Sequence, residues 1–464
     1  MTQLLAWLLL LAPAFAAAAP ALPDTAAGRV LAEWIAAYNS GDRSRVAAFV
    51  AAHAFPHDAD EMLAWREGAD GSDLVAIERS EPLAIEAWLQ EQDSDTIQRL
   101  VLQVDASVPP KVVDFSFANA KRPPRLALPR LTRDRALASL RARLDELARR
   151  DRFSGVVLVA HEGRVLLHEA RGLANREAKV PVTVDTRFRI GSMNKMFTGV
   201  AVLQLVEAGK LSLDRTVGDY LADYPNRDVA RYVTVRHLLT HTGGTGDIFG
   251  PQFDARRAQL RTHDDYVKLY GARGLEHAPG KEDRYSNYGM VLLGALIEHA
   301  SGESYYDYVQ SNVFERAGMA STGSLPESDP VPRRATGYMR AGEAWVDNRA
   351  TLPYRGTAAG GGYSTAADLL RFAQALEAGT LVSKAMLARA TSPQNVQQWY
   401  GYGFVVLDQE GIRSHGHSGG APGMNAELRI YPKLGYVLVA LSNLDPPASQ
   451  RVLDHFALRM PIAP

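Results

Sequence analysis

The chain has 464 residues, with 51 basic and 52 acidic side chains and a net charge of −1, so it lacks the basic excess that holds nucleic acid. Hydrophobic residues make up 46% and charged residues 22%, the composition of a folded chain rather than a disordered one. Cysteine is absent, which removes disulfides, thiolate zinc sites, iron–sulfur clusters and cysteine nucleophiles together.

Leu4 to Ala19 is apolar, and Ala16-Ala17-Ala18 offers an A-x-A cleavage site, so residues 1–18 read as a secretory signal peptide. Met1-Thr2-Gln3 carries no Lys or Arg, which leaves an uncleaved N-terminal anchor as the alternative. The expectation is a periplasmic or secreted protein with no membrane contact after cleavage.

Residues 24–120 read as a small α+β domain. Val30, Leu31, Trp34, Ile35 and Tyr38 have helical spacing within Ala27 to Tyr38. Ser40-Gly41-Asp42 stops that helix, and Asp42 caps the next, Arg43 to Val50. Strand-like runs follow at Leu74–Glu78, Gln98–Val104 and Val112–Ala118. The segment Trp34 to Asp42, with helices placed before strands, resembles the opening of nuclear-transport-factor-2-like cone domains. His53 and His57 stand at i, i+4 near Asp58 and Asp60, a pattern that fits loop histidines better than a metal site.

Residues 121–133 are a proline-rich linker, and 134–460 form the second domain. Leu137, Leu140, Leu144 and Leu147 make one stripe on a helix from Asp134 to Arg150. Phe153 to Ala160 and Val165 to Ala170 form a hairpin, and Ala426 to Tyr431 pairs with Tyr436 to Ser442. A helix from Ala448 to Leu458 closes the chain. The middle, from Ser192 to about Ala388, reads as helices and glycine-rich loops. A sheet is thus built from both ends of this block around a helical insert.

Three segments carry chemistry. Gly416-His417-Ser418-Gly419-Gly420 fits G-x-S-x-G, the nucleophile elbow that joins a strand to a helix. Pro422 opposes helix entry and the next element reads as a strand, so the context fails. Gly191-Ser192-Met193-Asn194-Lys195 is the only S-x-x-K in the chain, at one of nine lysines, and opens a helix. Ser192 and Lys195 then share one face of the first turn. A first-turn lysine opposes the helix dipole at a cost of about 0.3–1 kcal/mol, which a catalytic design turns to use by favouring the neutral amine. Tyr285-Ser286-Asn287 precedes a strongly helical stretch and offers a tyrosine, as tyrosinate, for a base; Tyr224-Pro225-Asn226 reads as a proline turn.

In chain order these give Ser192/Lys195, Tyr285/Asn287 and His417/Gly419. The sequence resembles the serine β-lactamase/penicillin-binding-protein superfamily, and within it class C-like esterases, D-aminopeptidases and D-Ala-D-Ala carboxypeptidases. Leu238 to Gly244, Gly360 to Ala366 and His417 to Gly423 add to the likeness. The resemblance implies an antiparallel sheet flanked by helices, an acyl-enzyme at Ser192, and Lys195 sharing its proton. It implies Tyr285 as general base and then acid, and Asn287 orienting the substrate. It places an oxyanion hole at the backbone N–H groups of Ser192 and Gly420. His417 and Gly419 stand where β-lactamases carry K-T-G. A histidine is mostly neutral at pH 7, so weak or no β-lactamase activity is expected, with short esters or D-amino acid peptides as substrates. Below about pH 6.5 a cationic His417 would favour anionic substrates. His415 reads as a structural histidine. No cofactor or metal is implied. The rival reading is a non-catalytic binding or sensor protein on the same fold.

Overall fold

A computed structural model describes residues 20–462 apart from 343 and 410, so the leader reading lies outside the described residues. The chain divides into two compact units, Met1–Ala127 and Leu128–Pro464, with the division inside the proline-rich segment.

The first unit places helices Ala26–Ser40, Arg43–His53 and Ala59–Ala69 before four strands, Ser72–Glu81, Ala84–Glu91, Ile97–Val104 and Val112–Asn119. The strands pair antiparallel in sequence order. Asp42 caps the second helix through Ser44 N and Arg45 N. Trp34 and Tyr38 are buried and stack on each other at 4.8 Å. The third helix and the second strand have no counterpart in the sequence pattern. The helix buries only Ala59, Met62 and Ala69, too few for a clear stripe. The strand alternates Ile85, Ala87 and Leu89 inward, but alanine and glutamate dilute its β signal. His53 lies between Glu33 and the Pro110 carbonyl, and His57 bonds Glu61.

The second unit is a three-layer sandwich. Its sheet has six antiparallel strands in the order Val405–Gln409, Ile412–Ala421, Met424–Tyr431, Tyr436–Ser442, Gly155–His161, Arg164–Arg171. Both ends of this unit therefore supply the sheet, as the sequence predicts. Val157 and Val159 face one layer, formed by helices Arg133–Arg149 and Ala448–Ala457. Val156, Leu158 and Ala160 face the other, a larger core holding helices Asn194–Glu207, Asn287–Ser301 and Ala366–Glu377. A strand buried on both faces reads as a continuous apolar run, which Val156 to Ala160 is. Leu137, Leu140, Leu144 and Leu147 are all buried, so the leucine stripe is the docking face of its helix. Among the described residues no helix is long and apolar enough to cross a membrane.

Candidate active site

Ser192 lies in a single 3-10 turn, Gly191–Met193, that runs into helix Asn194–Glu207. Ser192 and Lys195 thus face the same way, and Lys195 Nζ stands 3.1 Å from Ser192 Oγ. The amine is fully buried. It also donates to Asn287 Oδ1 at 2.8 Å and to the Ala359 carbonyl. Burial pulls its pKa down to about 7, and the Asp247 carboxylate opposes that fall. A neutral amine has two N–H donors and one lone pair. The two oxygens of Asn287 and Ala359 take the donors, which leaves the lone pair for the Ser192 hydroxyl. After proton transfer the ammonium has three donors and the same three acceptors. Ser192 can therefore lose its proton to Lys195 without any hydrogen bond being lost.

Tyr285 and Asn287 come from the turn into helix Asn287–Ser301. Ser286 caps that helix by accepting from Gly289 N at 2.8 Å. Burial pushes the Tyr285 hydroxyl's pKa up, and the neighbouring Ser192 side chain opposes that rise. Tyr285 as a whole is 38% exposed. Lys195 Nζ lies 4.6 Å from the ring centroid. With its pKa raised, Tyr285 is a neutral phenol at pH 7. Burial thus disfavours the tyrosinate expected from the sequence, and the Lys195 amine is a proton acceptor within reach of Ser192.

Asp247 is a site residue that sequence reasoning missed. Its carboxylate accepts from Asn287 N and Asn287 Nδ2, each at 3.2 Å, and so fixes the carboxamide with its oxygen towards Lys195. The Ala359 carbonyl was missed too, because a backbone acceptor has no side-chain signature.

Strand Ile412–Ala421 carries the third motif past the 3-10 turn. A Cβ on Gly419 would stand 1.8 Å from the Ile190 carbonyl and 2.9 Å from Ser192 N, so only glycine permits this approach. A Cβ on Gly191, whose φ is +52°, would stand 3.1 Å from Gly420 N. The backbone N–H groups of Ser192 and Gly420 are thereby neighbours. Ser418 lies within strand Ile412–Ala421, opposite Glu427 of the neighbouring strand, not at a strand-to-helix turn, so the elbow geometry is absent there.

His417 is placed differently from the sequence expectation. It is 4% exposed and does not line the cavity beside Ser192. Nδ1 donates to the Ser418 carbonyl at 2.5 Å, so Nε2 is the acceptor for the Tyr400 hydroxyl at 2.9 Å. Burial and the nearby Lys195 charge lower its pKa to about 3. The imidazole therefore stays neutral below pH 6.5, and the expected gain of a cation there is corrected. His241, from the Leu238 to Gly244 segment, is buried between Tyr285 and Tyr400, with ring centroids 4.3 and 4.6 Å away. Its Nδ1 accepts from Ser286 N at 3.2 Å, and burial again keeps it neutral. His415 is buried as well, with its pKa lowered to about 4.

A cavity of about 610 Å³ opens beside Ser192, with Tyr285, Asn287, Asp247 and Gly420 on its wall. Such a volume suits a small-molecule site. The site thus brings together Ser192, Lys195, Tyr285, Asn287 and Gly420, with Gly419 underneath and His417 behind.

The Beta-lactamase family model matches residues 140–459. A penicillin-binding protein of Bacillus subtilis (strain 168) is 31% identical over 326 residues, 66% of this chain and 71% of the relative. Esterase EstB of Burkholderia gladioli is 36% identical over 216 residues, 42% of this chain and 55% of the esterase. The crystal structure of a penicillin-binding protein from Bacillus halodurans superposes with a TM-score of 0.63 at 31% identity, covering 68% of this chain and 99% of that one. The family model leaves the first unit unmatched. The chain belongs to the β-lactamase/penicillin-binding-protein superfamily of serine hydrolases.

Proposed function

We propose that the second unit hydrolyses an ester or amide through an acyl-enzyme on Ser192. The observation that carries this reading is the Lys195 amine. It is buried, has a pKa near neutrality, and stands 3.1 Å from the Ser192 hydroxyl. Ser192 Oγ attacks the carbonyl carbon as its proton passes to Lys195 Nζ. The carbonyl oxygen becomes an oxyanion between the N–H groups of Ser192 and Gly420. Tyr285, a phenol beside Ser192, hands a proton to the leaving group and is resupplied from Lys195. Water then attacks the acyl carbon by the reverse path. Asn287 holds Lys195 in place from one side, and His417 acts through Tyr400 rather than on substrate.

The likeness to a named esterase supports an ester as substrate, and the likeness to penicillin-binding proteins keeps peptides in view. Neither the mechanism nor its residues calls for a cofactor. The apolar run to Ala19 supports export with the leader removed. The rival, a binding or sensor protein, has no use for a lysine held near neutrality. Turnover of p-nitrophenyl esters by the wild type and by Ser192→Ala decides between them. The hydrolase reading requires turnover that falls at least about 10³-fold in the variant. Equal rates in both proteins would overturn it.

A further inference from the structure

The cavity beside Ser192 has a one-sided chemistry. Its walls carry two carboxylates, Asp247 and Asp254, and are otherwise largely apolar, with Phe249, Phe253, Leu352 and Met424 among them. Phe249 and Phe253 meet edge to face at 5.3 Å. Among the described residues no Lys, Arg or His lines this cavity. The cationic groups nearby are committed elsewhere: Arg257 pairs with Asp254, and Arg273 donates to the Asp247 carbonyl. Lys195 is buried against Ser192, Asn287 and Ala359. His417 is neutral and bound to Tyr400. A carboxylate entering the cavity would lose water, gain no uncommitted cationic partner and face the Asp247 carboxylate, while Asp254 is already paired with Arg257 at 3.6 Å. An apolar group entering it would gain burial against aromatic and aliphatic walls.

We infer that this cavity selects acyl donors with a bulky uncharged apolar group and turns away donors with a carboxylate near the scissile bond. The inference rests on the hydrolase reading of Ser192. It sets aside β-lactams with a ring carboxylate and peptides with a free terminal carboxylate. It leaves esters and amides of apolar acids, aryl-alkyl acids above all.

Three esters with one leaving group test this: p-nitrophenyl 4-phenylbutyrate, p-nitrophenyl acetate and mono-p-nitrophenyl glutarate, the last ionised at pH 7.5. Each kcat/KM is divided by that ester's alkaline hydrolysis rate. The phenylbutyrate should exceed the acetate by at least about 30-fold, and the glutarate should not exceed the acetate. Leu352→Arg sets a cation in the wall and should raise the glutarate-to-acetate ratio about tenfold. Phe249→Arg, at a position 64% exposed, serves the same purpose where Leu352→Arg does not fold. The inference is overturned by a glutarate rate above the acetate's, by phenylbutyrate no better than acetate, or by an unchanged ratio in the folded arginine variant. A wild type that turns over none of the three refutes the hydrolase reading itself, and the selectivity falls with it.

Discussion

Replacing Lys195 with methionine should change how stability depends on pH, and the size of that change follows from the site. The amine's pKa is about 7 in the folded protein, against 10.5 for the free side chain. The folded value is the lower one. Between pH 7 and 10.5 the unfolded chain therefore binds more protons, and stability rises with pH over that window. A tenfold difference in proton affinity is worth about 1.4 kcal/mol, so the wild type should gain about 2 kcal/mol from this group between pH 8 and 9.5. Between pH 6 and 9.5 the gain should be about 3 kcal/mol. Lys195→Met cannot show it. The methionine also leaves the Asn287 and Ala359 oxygens without a donor, at roughly 1–3 kcal/mol each. That cost is independent of pH, so it offsets the curves without changing their divergence. Urea denaturation of both proteins at pH 6, 8 and 9.5 measures the divergence directly. Parallel stability curves would mean that Lys195 is an ordinary ammonium in the fold, and the proton-sharing argument would fail with it.

Other consequences can be checked on the same material. His417, with its pKa near 3, stays neutral at mild acidity, so the anionic-to-neutral ester ratio of kcat/KM should be flat from pH 7.5 to 5; a rise with acidity would put a cation on His417. Asp247→Asn removes the charge that holds the Lys195 pKa up, so the acidic limb of kcat/KM should move down by about half a pH unit. An upward move would show that the carboxylate acts on another group. Gly419→Ala drives a Cβ into the Ile190 carbonyl and should cut kcat by about 10²–10³ by moving the Gly420 N–H away from Ser192. A near-native rate in that variant would remove Gly420 from the oxyanion site.

The parts of the site legible in the sequence are local ones. Ser192 and Lys195 share a helix turn, so a spacing of three is enough to bring them together. Tyr285, Ser286 and Asn287 straddle a helix start, and the serine cap fixes how the other two point. Asp247 and Tyr400 reach the site across long stretches of chain with no motif around them, and Ala359 adjoins the marked Gly360 to Ala366 segment but acts through a backbone carbonyl, which has no side-chain signature. His417 shows the limit most clearly. Its motif and its strand are readable, but its hydrogen bond to Tyr400 depends on a loop 17 residues earlier. The sheet of the second unit is readable because apolar runs such as Val156 to Ala160 are buried on both faces. In the first unit the third helix lacks a clear apolar stripe, and the pattern gives no sign of it for that reason.

The most direct test of the central claim is the pH dependence of covalent labelling at Ser192. An uncharged alkyl fluorophosphonate should react faster as pH rises, with a single titration near pH 7, and peptide mass mapping should place the adduct on Ser192. Labelling at Ser418, or a labelling rate at Ser192 that does not change between pH 5.5 and 8.5, would contradict a nucleophile activated by a neutral Lys195.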